Sequence, residues 1–314
     1  LKVLEFNMQS DSIEDLPFPP GTRLDYSQMD TVREYNLHDV LKTLEFYNYT
    51  LEAIAFREEL SAKYGRNFIN FNDTKIGKEF FIMELEKATP GCCYDRSSGR
   101  REPRQTLRSS IPLGSVIFPY VQFNNPAFQQ FRNWLGQQII TETKGVFKDL
   151  NVTVNGFTFD FGLGGLHGSI DSAFIESNDE YLIVDLDVTS YYPSLAIENN
   201  LHPEHLGQTF CTIYADLKRQ RANHKKGTAE NAMLKLALNG TYGDSNNVYS
   251  PFYDPQFTMS VTINGQLLLC MLSERLMQIP GLRMIQANTD GVTVYCPRSQ
   301  LDQLEQVKQD WQAL

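Results

Sequence analysis

Apolar and polar residues alternate through YLIVDLDV, residues 181–188. On a strand, Leu182, Val184, Leu186 and Val188 fall on one face, and Tyr181, Ile183, Asp185 and Asp187 on the other. One face can pack on helices while the acids meet solvent or a ligand. A second β-rich stretch, MIQANTDGVTVYC (284–296), surrounds Asp290-Gly291, a dipeptide suited to a tight hairpin. Gln286, Asn288 and Asp290 then share a face, with Asp290 at the tip. Short strands are also predicted around VTVNGFTFDFGLGGLHGSID (152–171).

Helical spacing fills much of the rest. After a loop-rich start broken by LPFPPGT, a helix is predicted from near Asp30, and residues 51–90 read as mixed but helical. Glycine, proline, serine and arginine dominate from Cys92 to Leu113, which predicts an exposed loop or extended segment. A helix is predicted across 125–147. YADLKRQRANHKK (214–226) puts Lys218, Arg221 and Lys225 on one helix side, and Gly227 ends it. AENAMLKLALNGTYG (229–243) puts Lys235, Asn239 and Tyr242 on one face, with Leu234, Leu238 and Thr241 on its neighbour. Asp254-Pro255 supplies a cap and a first-turn proline for a helix that reads as structural, within 254–281.

Composition narrows the class. With 314 residues, 41% of them hydrophobic, the chain can bury a substantial core. It contains no apolar run of the ~20 residues needed to cross a bilayer. The first residues, LKVLEFNMQSDSIEDLP, lack the zones of a signal peptide. The five cysteines are an odd number without CxxC spacing, which argues against a disulfide framework and fits a reducing cytosol. Beginning at Leu1 and ending in a helix-patterned polar segment, the chain is expected to be a piece of a longer protein.

A net charge of −10 argues at first against a polyanionic partner. The average conceals two basic runs, RSSGRREPRQTLR (96–108) and LKRQRANHKK (217–226), and a local run matters more than a total when a polyanion lies in one groove. Either run is equally compatible with a solvated face. Aspartates on separate strand ends can hold one or two Mg²⁺ ions, which take oxygen ligands alongside phosphate and water. Cations on a facing helix could then neutralise a triphosphate, since positioning and charge neutralisation carry most of phosphoryl transfer. A lone strand-end aspartate is more often a cap or turn residue.

Three ordered segments give that pattern a family likeness. DVTSYYPS (187–194) resembles the first polymerase motif of family B DNA polymerases, D-x-x-S-L-Y-P-S; KLALNGTYG (235–243) resembles the second, K-x-x-x-N-S-x-Y-G; NTDG (288–291) resembles the third, D-T-D-S. GLGGLHGS (162–169) resembles the glycine-rich element between the exonuclease and polymerase portions of many phage members. YNLHD (35–39) resembles the Y-x-x-x-D third exonuclease motif.

The resemblance implies an α+β fold: a polymerase palm with an antiparallel β-sheet packed on helices, a short helical fingers hairpin, and an N-terminal remnant of an exonuclease domain. The expected divisions are 1–55 for that remnant, 56–180 for a connecting region and the first part of the palm, 181–210 for palm, 211–243 for fingers, and 244–314 for palm and the start of a thumb.

By the same resemblance Asp187 and Asp290 are the catalytic carboxylates and, with the carbonyl of Val188, the ligands of two Mg²⁺ ions, for which Mn²⁺ could substitute. Tyr192 lies under the incoming sugar and excludes a 2′-hydroxyl. Lys235 and Arg221 contact the triphosphate, with Arg219 or Lys225 as alternatives to Arg221. Asn239 and Tyr242 line the nascent base pair. Ser190 and Tyr191 belong to the same nucleotide site, although only one of two adjacent tyrosines can face the nucleotide and Tyr191 is expected to pack in the palm. Gly164, Gly165, His167, Gly243 and Thr289 are expected beside DNA, the glycines where backbone meets a strand closely. Tyr35 and Asp39 are the exonuclease remnant, with no visible partner acids.

The implied activity is template-directed DNA synthesis from dNTPs on primer–template DNA by a cytoplasmic, membrane-free and monomeric enzyme, in a bacterial host if phage-encoded. The alternative is a catalytically incompetent nucleic-acid-binding fragment of such an enzyme. The departures are Asn288, Gly291 and Gly240, none of which removes a catalytic group. No D-x-E occurs, so proofreading is not expected. The short interval from Asp187 to Lys235 implies a nucleic-acid primer rather than a protein one.

Overall fold

The computed structural model describes residues 1–314, which divide into two compact units, Leu1–Phe71 and Asn72–Leu314. The first is helical: α1 (Lys2–Asn7), α2 (Met29–Tyr49) and α3 (Leu51–Tyr64). Residue 55, the expected end of an N-terminal region, falls inside α3.

The second unit begins with α4 (Asp73–Ala88), capped by the Asn72 side chain on the Lys75 amide. The Gly/Pro/Arg-rich stretch that follows is extended, with only the two-residue strands β1 (Tyr94–Asp95), β2 (Glu102–Pro103) and β3 (Ile111–Pro112). Next come α5 (Pro126–Gly136), β4 (Ile139–Ile140), β5 (Asn151–Val154), β6 (Phe157–Phe161) and β7 (Leu166–Ser169). The remainder is β8 (Tyr181–Asp187), α6 (Tyr191–Glu198), α7 (Gly207–Asn223), α8 (Ala229–Asp244), α9 (Pro255–Leu276), β9 (Arg283–Asn288), β10 (Gly291–Pro297) and α10 (Leu301–Gln312). No helix is long and apolar enough to cross a membrane.

Strands and helices pack as an α+β fold. Six strands form one antiparallel sheet in the order β5-β6-β7-β9-β10-β8. β8 therefore sits at an edge, and the alternation read from its sequence is present: Asp185 and Asp187 are exposed while Leu182, Val184 and Leu186 are partly covered. Helix α9 is buried along almost its whole length. Asp254 caps it through the amides of Gln256 and Phe257, and Pro255 occupies its first position, as its sequence predicts. Being covered all round, α9 must satisfy its polar side chains internally. Asn264 does so by accepting from the Phe118 amide at 2.8 Å and donating to the Val116 carbonyl at 2.7 Å. A second core lies where α4 and α7 meet, with Phe81, Phe210, Tyr214 and Phe252 in mutual ring contact.

Two expectations change. The helix predicted across 125–147 stops at Gly136, and Ile139–Ile140 pair with β3 instead, since glycine ends a helix readily and two β-branched residues favour a strand. The hairpin tip is Thr289–Asp290, because Asn288 already pairs with Gly291. Gly291 is the first residue of β10 and has no positive φ; a Cβ there would sit 2.6 Å from the Leu186 carbonyl oxygen. It is required by contact with β8 rather than by the turn.

Candidate functional site

Antiparallel pairing of β8 with β10 places Asp187 opposite Gly291. The residue before Gly291 is Asp290, and its carbonyl accepts from the Val188 amide at 2.8 Å. Two carboxylate residues far apart in sequence thus occupy neighbouring backbone at one end of the sheet. Asp185 points to the same face of β8 but its carboxylate accepts from the Thr293 hydroxyl at 2.7 Å. The Asp187 carboxyl is raised above its ordinary value by burial, then by the charges of Asp290 and Asp185. Negative charge concentrated in this way, on oxygen donors, suits a hard divalent cation such as Mg²⁺ or Mn²⁺.

Between β8 and α6 the chain turns through Ser190, in the left-handed region at φ 50°. Ser190 makes no side-chain cap, so the first-turn amides of α6 remain a positive end that favours an anion. A cleft of about 500 Å³ is lined by Arg221 of α7 and Lys235, Asn239 and Tyr242 of α8 together with Asp187, Asp290 and Thr289. Ser190, Tyr191 and Tyr192 line the same cleft.

The structure also settles the register of the basic helix. Arg221 lines the cleft and reaches the Ser190 hydroxyl at 3.4 Å. Arg219 is exposed and paired with Asp216 at 2.8 Å, and Lys225 lies exposed beyond the end of α7. Lys218 donates to the Ser194 hydroxyl at 2.9 Å.

The two tyrosines part as the sequence suggests. Tyr191 is buried, with its hydroxyl donating to the Gly265 carbonyl at 2.6 Å. Tyr192 packs its ring on Tyr242 at 4.3 Å and donates to the Gly164 carbonyl at 3.0 Å. Burial, with lesser effects from Tyr242 and Asp290, pushes the Tyr192 phenol well up. Tyr242 bonds to the Thr262 hydroxyl and to the Leu163 carbonyl, and Gln266 of α9 accepts from the Gly162 amide at 2.9 Å.

Three consecutive residues of the glycine-rich run are therefore pinned by side chains of other elements. This corrects the role expected of Gly165. At φ +138° its absent Cβ would lie 2.8 Å from both the Tyr192 hydroxyl and the Thr289 methyl, so its close approach is to protein. Gly164, His167 and Gly243 are exposed, with open space at the two glycines.

The 96–108 basic run is largely engaged internally. Arg101 stacks 3.8 Å over Tyr94 and faces Glu79, Arg104 faces Asp95, and Arg108 makes two bonds to Asp254 and one to Glu204. Arg96 and Arg100 remain exposed. Sequence reasoning missed Glu79, Glu204 and Asp254 because they come from other segments of the chain.

In the N-terminal unit, Tyr35 and Asp39 lie on α2. The Tyr35 phenol is raised by burial, then by the charges of Asp39, Glu5 and Glu14, so acids do surround this motif. Buried Glu5 and exposed Glu14 flank the ring of His38 at 3.6 and 3.4 Å. Neither acid belongs to a recognisable spacing, which is why the sequence did not disclose them.

No family model and no curated protein matches the chain. Among solved structures, the family B DNA polymerase from the hyperthermophilic archaeon Pyrobaculum calidifontis is similar at a TM-score of 0.43 and 15% identity. The match covers 97% of this chain and 38% of that chain. The chain thus spans well under half the length of that polymerase.

Proposed function

We propose that residues 72–314 form the nucleotidyl-transfer core of a template-directed DNA polymerase of family B, phage type. The observation that carries this reading is the β8–β10 register. It sets Asp187 beside Asp290 in a cleft that Arg221 and Lys235 also line.

In this reading Asp187, Asp290 and the Val188 carbonyl hold two Mg²⁺ ions, which when bound would activate a primer 3′-hydroxyl and neutralise a pyrophosphate leaving group. Arg221 and Lys235 hold the triphosphate, with the first turn of α6 as a further anion-favouring group. Tyr192, fixed by Gly164 and Tyr242, presents an immobile ring edge that leaves no room for a 2′-hydroxyl. Asn239 and Tyr242 border the base pair, and Gly164, His167, Gly243 and Thr289 lie towards primer–template DNA. The substrates are dNTPs.

Primer extension with dNTPs and Mg²⁺ tests the reading, with Asp290→Asn as comparison. Extension by the wild type and its loss in the variant is the expected result. Wild-type binding of primer–template without extension would instead identify a catalytically incompetent nucleic-acid-binding fragment.

A further inference from the structure

The last turn of α4 carries Glu86, and the loop entering β1 carries Cys92 and Cys93; the sequence showed no metal pattern here because two adjacent cysteines and an upstream acid match no usual ligand spacing. We propose that Glu86, Cys92 and Cys93 bind one zinc-class divalent cation, clamping the end of α4 to that loop.

The three donor atoms lie within 4.8 Å of one another. The two sulfurs are 3.7 Å apart. A tetrahedral ion with metal–sulfur bonds of about 2.3 Å holds two thiolates about 3.8 Å apart, so the pair already has the required separation. The carboxylate is also oriented in advance. One Glu86 oxygen accepts from the Gly91 amide at 2.7 Å and the other from the Cys93 amide at 2.9 Å, and each keeps a lone pair for a cation. The cysteine backbone is fixed from both sides, since the Cys92 amide donates to Thr89 and the Cys93 carbonyl accepts from Arg104. Cys93 is fully buried and Cys92 half-buried, which leaves one solvent-facing side for entry and for a water as fourth ligand.

Neighbouring charges shape the affinity. Burial raises both thiols, and the Glu86 charge raises them further, while Arg104 beside Cys92 and Arg101 beside Cys93 act in the opposite direction. Cysteine ligates a metal as the thiolate, so binding at this pair releases the thiol protons. Binding should accordingly tighten as pH rises. Cys211, Cys270 and Cys296 belong to no such group.

The test uses the metal-stripped full chain in a non-thiol reductant, titrated with Co²⁺. The expected result is a thiolate-to-cobalt charge-transfer absorption saturating at one equivalent, bleached by Zn²⁺, with about two protons released per ion. Cys92→Ser and, separately, Glu86→Gln should each weaken binding more than ~10-fold, the lower range for loss even of an outer partner. Cys92 is half-buried, and unchanged far-ultraviolet dichroism of its variant confirms folding. No charge-transfer band in the wild type, or an equal band and equal Zn²⁺ stabilisation in Cys92→Ser, overturns the proposal. DNA synthesis plays no part in these readouts, so failure here leaves the polymerase reading untouched.

Discussion

The Tyr192 hydroxyl donates to the Gly164 carbonyl, and the next residue, Gly165, comes so close to that hydroxyl that only hydrogen fits at its α-carbon. The proposed sugar gate is thus held by the glycine-rich loop rather than by its own helix. Gly165→Ala should cost stability by about 1–3 kcal/mol, from a strained φ and a forced shift of Tyr192 or Thr289. Urea unfolding measures the cost. If the loop sets the gate, the variant should also lose discrimination between dNTPs and rNTPs, and a variant that keeps full discrimination would show that Tyr192 is positioned without the loop.

Gly291 makes a parallel case at the metal end. A Cβ 2.6 Å from the Leu186 carbonyl, a backbone atom that cannot swing away, must push β10 off β8. Gly291→Ala should destabilise by about 1–3 kcal/mol and raise the Mg²⁺ concentration needed for extension, because the same pairing sets Asp187 beside Asp290. Thermal unfolding together with a Mg²⁺ titration checks both effects.

These glycines show what the sequence could and could not disclose. Period-2 alternation made β8 legible, and period-3.6 spacing put Lys235, Asn239 and Tyr242 on one face of α8; both are local properties of one element. The convergence of Asp187 with Asp290 followed from ordered motifs, yet the register that achieves it is non-local and appears only in the fold. Gly165 and Gly291 were recognisable as unusual, but their reasons are contacts with Tyr192 and Leu186, far away in the chain. The same holds for Arg108, whose acidic partners Asp254 and Glu204 come from other segments and engage it in ion pairs within the protein. The over-long helix at 125–147 arose because its polar positions fitted either period after Gly136.

The raised Asp187 carboxyl carries a pH dependence. Its folded-state value lies above its unfolded one, so the folded protein holds that proton more tightly. The ionised carboxylate therefore lowers stability above the folded value, and the penalty vanishes below the ordinary carboxylate range. In EDTA at neutral pH, Asp187→Asn should raise the melting temperature by up to a few °C, the gap closing as pH falls through that window. Adding Mg²⁺ should stabilise the wild type and not the variant. Equal Mg²⁺ stabilisation in both would remove Asp187 from the ligand set.

Asp254 combines two duties, capping α9 and accepting both Arg108 nitrogens at 2.9 and 3.0 Å while almost wholly buried. Asp254→Ala leaves Arg108 facing Glu204 alone and the first amides of α9 uncapped. A loss of about 3–5 kcal/mol is expected in urea unfolding, the range for breaking one side of a buried pair. Glu204→Ala, whose carboxylate is mostly exposed, should cost under about 1 kcal/mol.

The two neighbouring arginines of α7 separate triphosphate binding from general electrostatics. Arg221 lines the cleft with Lys235, whereas Arg219 faces solvent beside Asp216. Both substitutions by alanine remove the same formal charge, so a long-range field effect would make them alike, and salt would screen both. A direct phosphate contact makes them unlike. A hydrogen bond to a charged group contributes about 1.5–3 kcal/mol, so Arg221→Ala should lower kcat/KM for dNTP by roughly 10–150-fold. Arg219→Ala should change it by less than about 2-fold, within the ±0.5 kcal/mol usual for surface changes. Steady-state incorporation of a single nucleotide measures both, and equal losses would place the triphosphate elsewhere.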